Sequence, residues 1–144
     1  MNNSGRSFVA ITIVLGCLAF LLRFGVDKLI KFTMSQNEAN ASVTLKSIAA
    51  GLESYAKDNK GNYPSNLYEL SKTKPAYLDK DYIHQAPFKG YVFSCPKLGP
   101  SGYICQAEPL RCKLTGLKSY SVSTGNLFVS EDCGGEDREE EVFK

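Results

Sequence analysis

The sequence predicts an α+β fold in which a long N-terminal helix, membrane-spanning in its first half, packs on a small four-stranded antiparallel sheet. Three observations predict it. All six prolines lie at Pro64 or later, and proline breaks helix interiors, so the preceding stretch is free to be one helix. Residues 7–22 carry no charge. The second half concentrates Gly, Pro, Tyr and Cys, the residues of strands and tight turns.

The chain is 144 residues long, enough for one domain and an anchor but not for two sizeable cores. Its net charge is +2 with 22% charged residues, and Lys and Arg are scattered without a short basic run. A nucleic-acid partner would require a clustered basic face, so that class is excluded. No paired carboxylates, metal triad or nucleophile motif is present, and the expectation is a non-enzyme with no cofactor and no small-molecule substrate.

Taken in order, residues 1–6 form a cytoplasmic N-terminus and residues 7–26 a transmembrane helix. A span needs about 20 mostly apolar residues, which residues 7–26 supply if Arg23 snorkels its charge to the interface. A cleaved signal peptide would need a small-residue cleavage site, and Leu22-Arg23-Phe24 is a poor one. Val14-Leu15-Gly16-Cys17 looks like a lipobox, which makes Cys17 a possible lipidation site. Leu18–Leu22 nevertheless continues the apolar run, and the alternative for Cys17 is a small apolar residue on a membrane helix. Charge counts around the span (Arg6 before it; Arg23, Lys28 and Lys31 after it) place the C-terminal side in the cytosol. The cysteines argue for the opposite side and carry more weight.

Residues 27–60 read as an amphipathic helix outside the cytosol, with Leu45, Ile48, Ala49, Leu52, Tyr55 and Ala56 on one face at the helical period. Residues 33–42 are polar and read as solvated helix bridging membrane and domain. One helix from 7 to 59 would be about 80 Å long, too long for a span alone. Asp58-Asn59-Lys60-Gly61 ends it with Gly61 as left-handed cap. Asn66-Leu67-Tyr68-Glu69 resembles a capping box opening a short helix to Ser71. A loop over 72–89 follows, anchored by Tyr77, Leu78, Tyr82 and Ile83.

Residues 61–135 read as a disulfide-stapled β domain. Tyr91–Cys95 and Tyr103–Ala107 flank a turn over 96–102, and Ser119–Ser123 and Leu127–Glu131 flank Thr124-Gly125-Asn126. The first hairpin sets Cys95 nearly opposite Cys105, and the second returns Cys133 towards Cys112, which predicts the pairs Cys95–Cys105 and Cys112–Cys133. A four-cysteine zinc site is the rival, but no C-x2-C knuckle is present. Disulfides imply an oxidising compartment, the periplasm or cell surface of a bacterium. Residues 136–144 form an acidic tail expected to be disordered. His84, the only histidine, lies in the 72–89 loop and reads as a turn residue.

This pattern resembles type IV pilin-like proteins, and in particular the major pseudopilins of type II secretion. The resemblance rests on the anchor helix running into Leu45-x-x-Ile48-x-x-x-Leu52-x-x-Tyr55, on Tyr55-Ala56-Lys57-Asp58-Asn59-Lys60-Gly61-Asn62-Tyr63-Pro64, and on Asn66-Leu67-Tyr68-Glu69-Leu70. Gly90-Tyr91-Val92-Phe93, Gly102-Tyr103, Ala107-Glu108-Pro109 and Ser119-Tyr120-Ser121-Val122 with Thr124-Gly125-Asn126-Leu127 continue it in order. The resemblance implies a subunit of the inner membrane, partnered by sister subunits through its N-terminal helix and drawn into a filament. It also implies a possible prepilin cleavage after Gly5, and calcium as the one metal to consider, with Glu131, Asp132 and Asp137 as candidate ligands. Family precursors carry an aromatic residue after the cleaved Gly and a Glu five residues after the cut. Here Gly5 is followed by Arg6, Ser7, Phe8, Val9 and Ala10, so both are absent. That departure points to a chain that keeps its N-terminus and caps, primes or regulates a filament, or works outside one.

Two functions follow as expectations. The first is a structural subunit or assembly component of a type IV pilus or type II secretion filament. The second is an uncleaved, membrane-anchored periplasmic module that binds a ligand or protein through a conspicuous exposed apolar or aromatic patch on the β domain, for which Tyr77, Tyr82 and Phe88 are candidates.

Overall fold

The computed structural model describes residues 4–134. Helix α1 runs from Ser4 to Asp58, and its contacts divide the chain between Thr33 and Met34. The first unit is helix alone. The second combines the rest of α1 with a short helix and a sheet. α1 ends two residues before the boundary predicted at 60. Lys60 and Gly61 both take left-handed φ (57° and 85°), and the Gly61 N–H donates to the Ala56 carbonyl at 2.8 Å. A reversal of this kind satisfies the last turn's carbonyls while turning the chain.

Helix α2, Leu67–Lys72, starts at Asn66, whose side chain accepts from the Tyr68 N–H at 2.9 Å. The Glu69 carboxylate accepts from the Ser65 hydroxyl at 3.0 Å instead of closing a reciprocal box. α2 buries Leu67 and Leu70, and the Leu70 carbonyl accepts the N–H groups of Tyr77 and Leu78. The loop is thereby folded back over α1. It passes so close to Gly51 that a Cβ there would lie 3.0 Å from the Tyr77 carbonyl oxygen.

Four antiparallel strands follow, β1 (Tyr91–Gly99), β2 (Gly102–Pro109), β3 (Lys118–Ser123) and β4 (Leu127–Asp132), in the order β1-β2-β3-β4. The turn expected over 96–102 is shorter than the sequence suggests, because β1 continues through Pro96. Pairing steps from Ser94↔Gln106 to Lys97↔Ile104, so Cys95 and Pro96 share one position opposite Cys105. Such a bulge tolerates a residue without an N–H. Disulfides join Cys95 to Cys105 at the bulge and Cys112 to Cys133 between the β2–β3 loop and the end of β4.

The core of the second unit lies between one helix face and one sheet face. Ala41, Leu45, Ile48, Ala49 and Leu52 meet Tyr91, Phe93, Tyr103, Cys105, Ala107, Tyr120 and Val122, with Leu67, Leu70, Leu78 and Tyr82 closing one side. The strand period of two puts these residues on one face and Ser94, Gln106 and Ser121 on the other. The polar stretch 33–42 differs from the solvated bridge expected of it. Met34 and Ala41 are buried, and Asn37 and Glu38 are half-buried. The Asn37 side-chain amide donates to the Thr115 carbonyl (2.9 Å), and the Glu38 carboxylate accepts from the Leu117 N–H (2.6 Å). An irregular loop leaves backbone groups without ladder partners, and these polar side chains supply them.

Candidate functional surfaces

The first surface is the apolar segment of α1. Phe8, Val9, Ile11, Ile13, Val14, Leu15, Leu18, Leu21 and Leu22 are each about half to two-thirds exposed. Thr12, the polar side chain among them, turns its hydroxyl onto the Phe8 and Val9 carbonyls (both 2.9 Å), which hides a donor from an apolar environment. Covering a Val, Leu, Ile or Phe side chain is worth about 1.5–3 kcal/mol, so leaving this many in water is strongly unfavourable. By length and composition α1 can cross a membrane, with a mean hydropathy of 2.4 in its most apolar window. Cys17 lies on this segment, exposed and unpaired with any other cysteine, and Gly5 falls in the first turn of α1.

The second surface is the outer face of the sheet. A shallow groove of about 720 Å³ runs over Gln106, Glu108, Ser119, Ser121, Val129 and Glu131 and reaches Asp132 and the Cys112–Cys133 disulfide. Among the described residues, Glu131 and Asp132 are not gathered with a third His, Cys, Asp or Glu into a group that could hold a metal ion. Asp137 and the acidic tail lie outside the described residues.

The 72–89 loop holds no open aromatic patch. Tyr82 is buried, and its ring meets Phe88 and Phe93 edge-on or tilted (5.5 and 6.0 Å between centroids). Lys80 lies over the Phe88 ring at 4.0 Å. Tyr77 packs edge-on against Tyr55 and donates to Asp58 at 2.6 Å. The three aromatics expected to form a binding patch are therefore committed to holding the loop down. Burial, helped by a hydrogen bond to Asp79, pushes the Tyr82 hydroxyl up to about 12.

His84 stands beside Asp81, Nδ1 to Oδ2 at 2.6 Å, with its side chain 71% exposed. Asp81 also accepts the Ile83 and His84 N–H groups. Burial alone would raise the Asp81 carboxyl; the bonds from His84 and Ile83 outweigh it and hold the group below its ordinary value. These bonds close a turn.

Comparison with protein-family models, with characterised proteins and with solved structures finds no match.

Two features escape a reading of the sequence by motif. Glu53, off the apolar face of the helix, accepts from the Tyr63 hydroxyl (3.0 Å), the Tyr103 hydroxyl (3.0 Å) and the Gly125 N–H (2.9 Å). It ties the helix to β2 and to the β3–β4 turn. The β2–β3 loop alternates exposed leucines with cations: Leu110, Arg111, Lys113, Leu114, Leu117 and Lys118. That alternation is visible in the sequence, but only the structure shows that the leucines stay outside the core.

Proposed function

We propose that this chain is a membrane-anchored, pilin-like structural or assembly subunit of a pilus-like or secretion filament. It would sit in a bacterial inner membrane with its stapled domain on the oxidising side, and it would work by association and not by catalysis. The observation that carries the reading is the continuity of α1. One helix presents apolar side chains on every side in its first half, then a single apolar face that a small antiparallel sheet covers. A segment apolar all round needs lipid or sister helices around it, and a filament core supplies the second. The two disulfides support an oxidising compartment for the second unit.

The alternative, a solitary anchored binding module, cannot draw its patch from Tyr77, Tyr82 and Phe88, which pack within the domain; the exposed apolar residues of the β domain that remain to it include Leu110, Leu114 and Leu117.

The test is a single-cysteine scan from Val14 to Phe20 in a Cys17→Ser background, cross-linked in native membranes. These positions cover more than one helical turn, so a helix packed against sister helices must place at least one of them at the contact. The expected result is cross-linked dimers and higher ladders at positions recurring with the helical period. Monomer at every position would overturn the reading. Intact-mass measurement of the extracted chain separates the full-length form from forms cut after Gly5 or lipidated at Cys17.

A further inference from the structure

We infer that the β2–β3 loop, residues 110–117, together with Lys118 at the head of β3, docks on the anionic lipid surface of the membrane that holds α1. The inference rests on the membrane-anchor reading and adds a second point of attachment to it. Leu110, Leu114 and Leu117 are 53%, 47% and 45% exposed in one short loop. Arg111, Lys113 and Lys118 alternate with them, all exposed, and the segment contains no acid. Leucines that dip below the headgroups and cations that meet phosphates form the usual pattern of an interfacial segment.

The loop is built to hold these side chains outward. Cys112 is bridged to Cys133, the Thr115 hydroxyl accepts the Arg111 N–H at 3.0 Å, and the Lys113 N–H donates to the Gly116 carbonyl at 2.9 Å. A pinned loop cannot fold its leucines away, so their exposure persists until something covers them. Lys89, which donates to Asn40 at 2.9 Å, adds a cation nearby, since the Gly90 carbonyl accepts the Leu110 N–H. Among the described residues, the acids near the loop are Glu38, whose carboxylate is occupied by the Leu117 N–H, Asp132, opposite Lys118 in the sheet register, and Glu108 and Glu131, which line the groove that reaches Cys112. Among the described residues none of the loop cations forms an ion pair.

Tethering favours lipid over other occupants. Asn37 holds the Thr115 carbonyl, and Asn37 lies eleven residues after Val26, the end of the apolar segment. Eleven residues reach at most about 40 Å even when fully extended. The chain therefore keeps the loop within reach of the membrane that holds the apolar segment.

The chain contains no tryptophan, which permits a direct test. Full-length chains carrying Leu114→Trp, Leu127→Trp or Leu15→Trp are reconstituted into phosphatidylcholine vesicles with or without phosphatidylglycerol, some with brominated acyl chains. The expected result is that Leu114→Trp emission shifts to the blue and is quenched by bromine in phosphatidylglycerol vesicles, while Leu127→Trp, on the β3–β4 hairpin, is not quenched. Adding Arg111→Gln should lower the docked-to-free ratio about five-fold, the effect of one cation near an anionic surface. If Leu15→Trp is quenched and Leu114→Trp behaves like Leu127→Trp, the docking inference is overturned and the anchor stands. If Leu15→Trp is not quenched, the anchor itself fails, and docking with it. A blue shift at Leu114→Trp without bromine quenching would assign the loop to a contact with a second copy of this chain and also overturn the inference.

Discussion

Replacing Glu53 by alanine withdraws one carboxylate from three partners at once. The Tyr103 residue is 1% exposed, and its hydroxyl loses its acceptor inside the unit; an unpaired buried hydroxyl costs about 1–3 kcal/mol. Tyr63 is half-buried and Gly125 exposed, so water can replace their bonds, and each contributes about 0.5–1 kcal/mol. The sum is about 3 kcal/mol, or roughly 12 °C in Tm at about 4 °C per kcal/mol for a unit of this size. The assay is thermal unfolding of the detergent-solubilised full chain followed by near-ultraviolet circular dichroism of the tyrosines, which reports the second unit and not the anchor helix. Glu53→Gln keeps one acceptor oxygen and should lose about 1 kcal/mol. A double-mutant cycle with Tyr103→Phe should return a coupling of about 1 kcal/mol or more, since the two residues share one bond. A loss below about 0.5 kcal/mol for Glu53→Ala, within the range of ordinary surface substitutions, would refute the assignment of Glu53 as the tie between helix and sheet.

Three further outcomes are expected. Burial is the leading reason that the hydroxyls of Tyr91, Tyr103 and Tyr120 titrate above 10.0. The folded state therefore keeps protons that the unfolded chain has released; this stability is complete below pH 10 and is lost as pH rises beyond it. Urea midpoints that stay flat from pH 9 to beyond pH 11 (about one unit either side of the ordinary tyrosine value) would contradict this. Gly116→Ala would drive a Cβ into the Tyr91 hydroxyl, which donates to the Lys118 carbonyl at 2.7 Å; overpacking of this kind costs about 1–3 kcal/mol, readable in the same melts. Each disulfide should contribute about 3 kcal/mol for its loop length. Since Cys112 is exposed and Cys105 buried, blocking the free Cys17 and then applying mild reductant, alkylation and peptide mass analysis should label Cys112 and Cys133 before Cys95 and Cys105.

The α+β arrangement was legible because its determinants are local and periodic. The absence of proline before Pro64, the apolar spacing from Leu45 to Ala56 and the two hairpin turns each specify an element without reference to the rest of the chain. Where the reading failed, a non-local contact decided. Pro96 looks like a strand terminator, yet the bulge opposite Cys105 removes the need for its missing N–H. Asn37, Glu38 and Glu53 look like solvent-facing helix residues, yet each is recruited by backbone or hydroxyl groups from 10 to 79 positions away. Tyr82 and Phe88 look like a surface patch because a loop sequence does not reveal which side faces the core. The exposed leucines of the β2–β3 loop were missed for the converse reason, since apolar residues beside strands are by default assigned inward.

The open margins of the sheet bear on how copies of this chain can crowd together without misassociating. A meander of four strands leaves two rims, and each is an invitation to a neighbour's backbone. On one rim the proline bulge interrupts the row of donors midway along β1. On the other, β4 ends in Glu131 and Asp132 and is then turned aside by a sulfur bridge. A guest strand would find a broken ladder at the first and two carboxylates at the second. Lateral growth into a cross-strand aggregate is thus discouraged at both rims, so the domain can be packed densely and still stay separate from its neighbours.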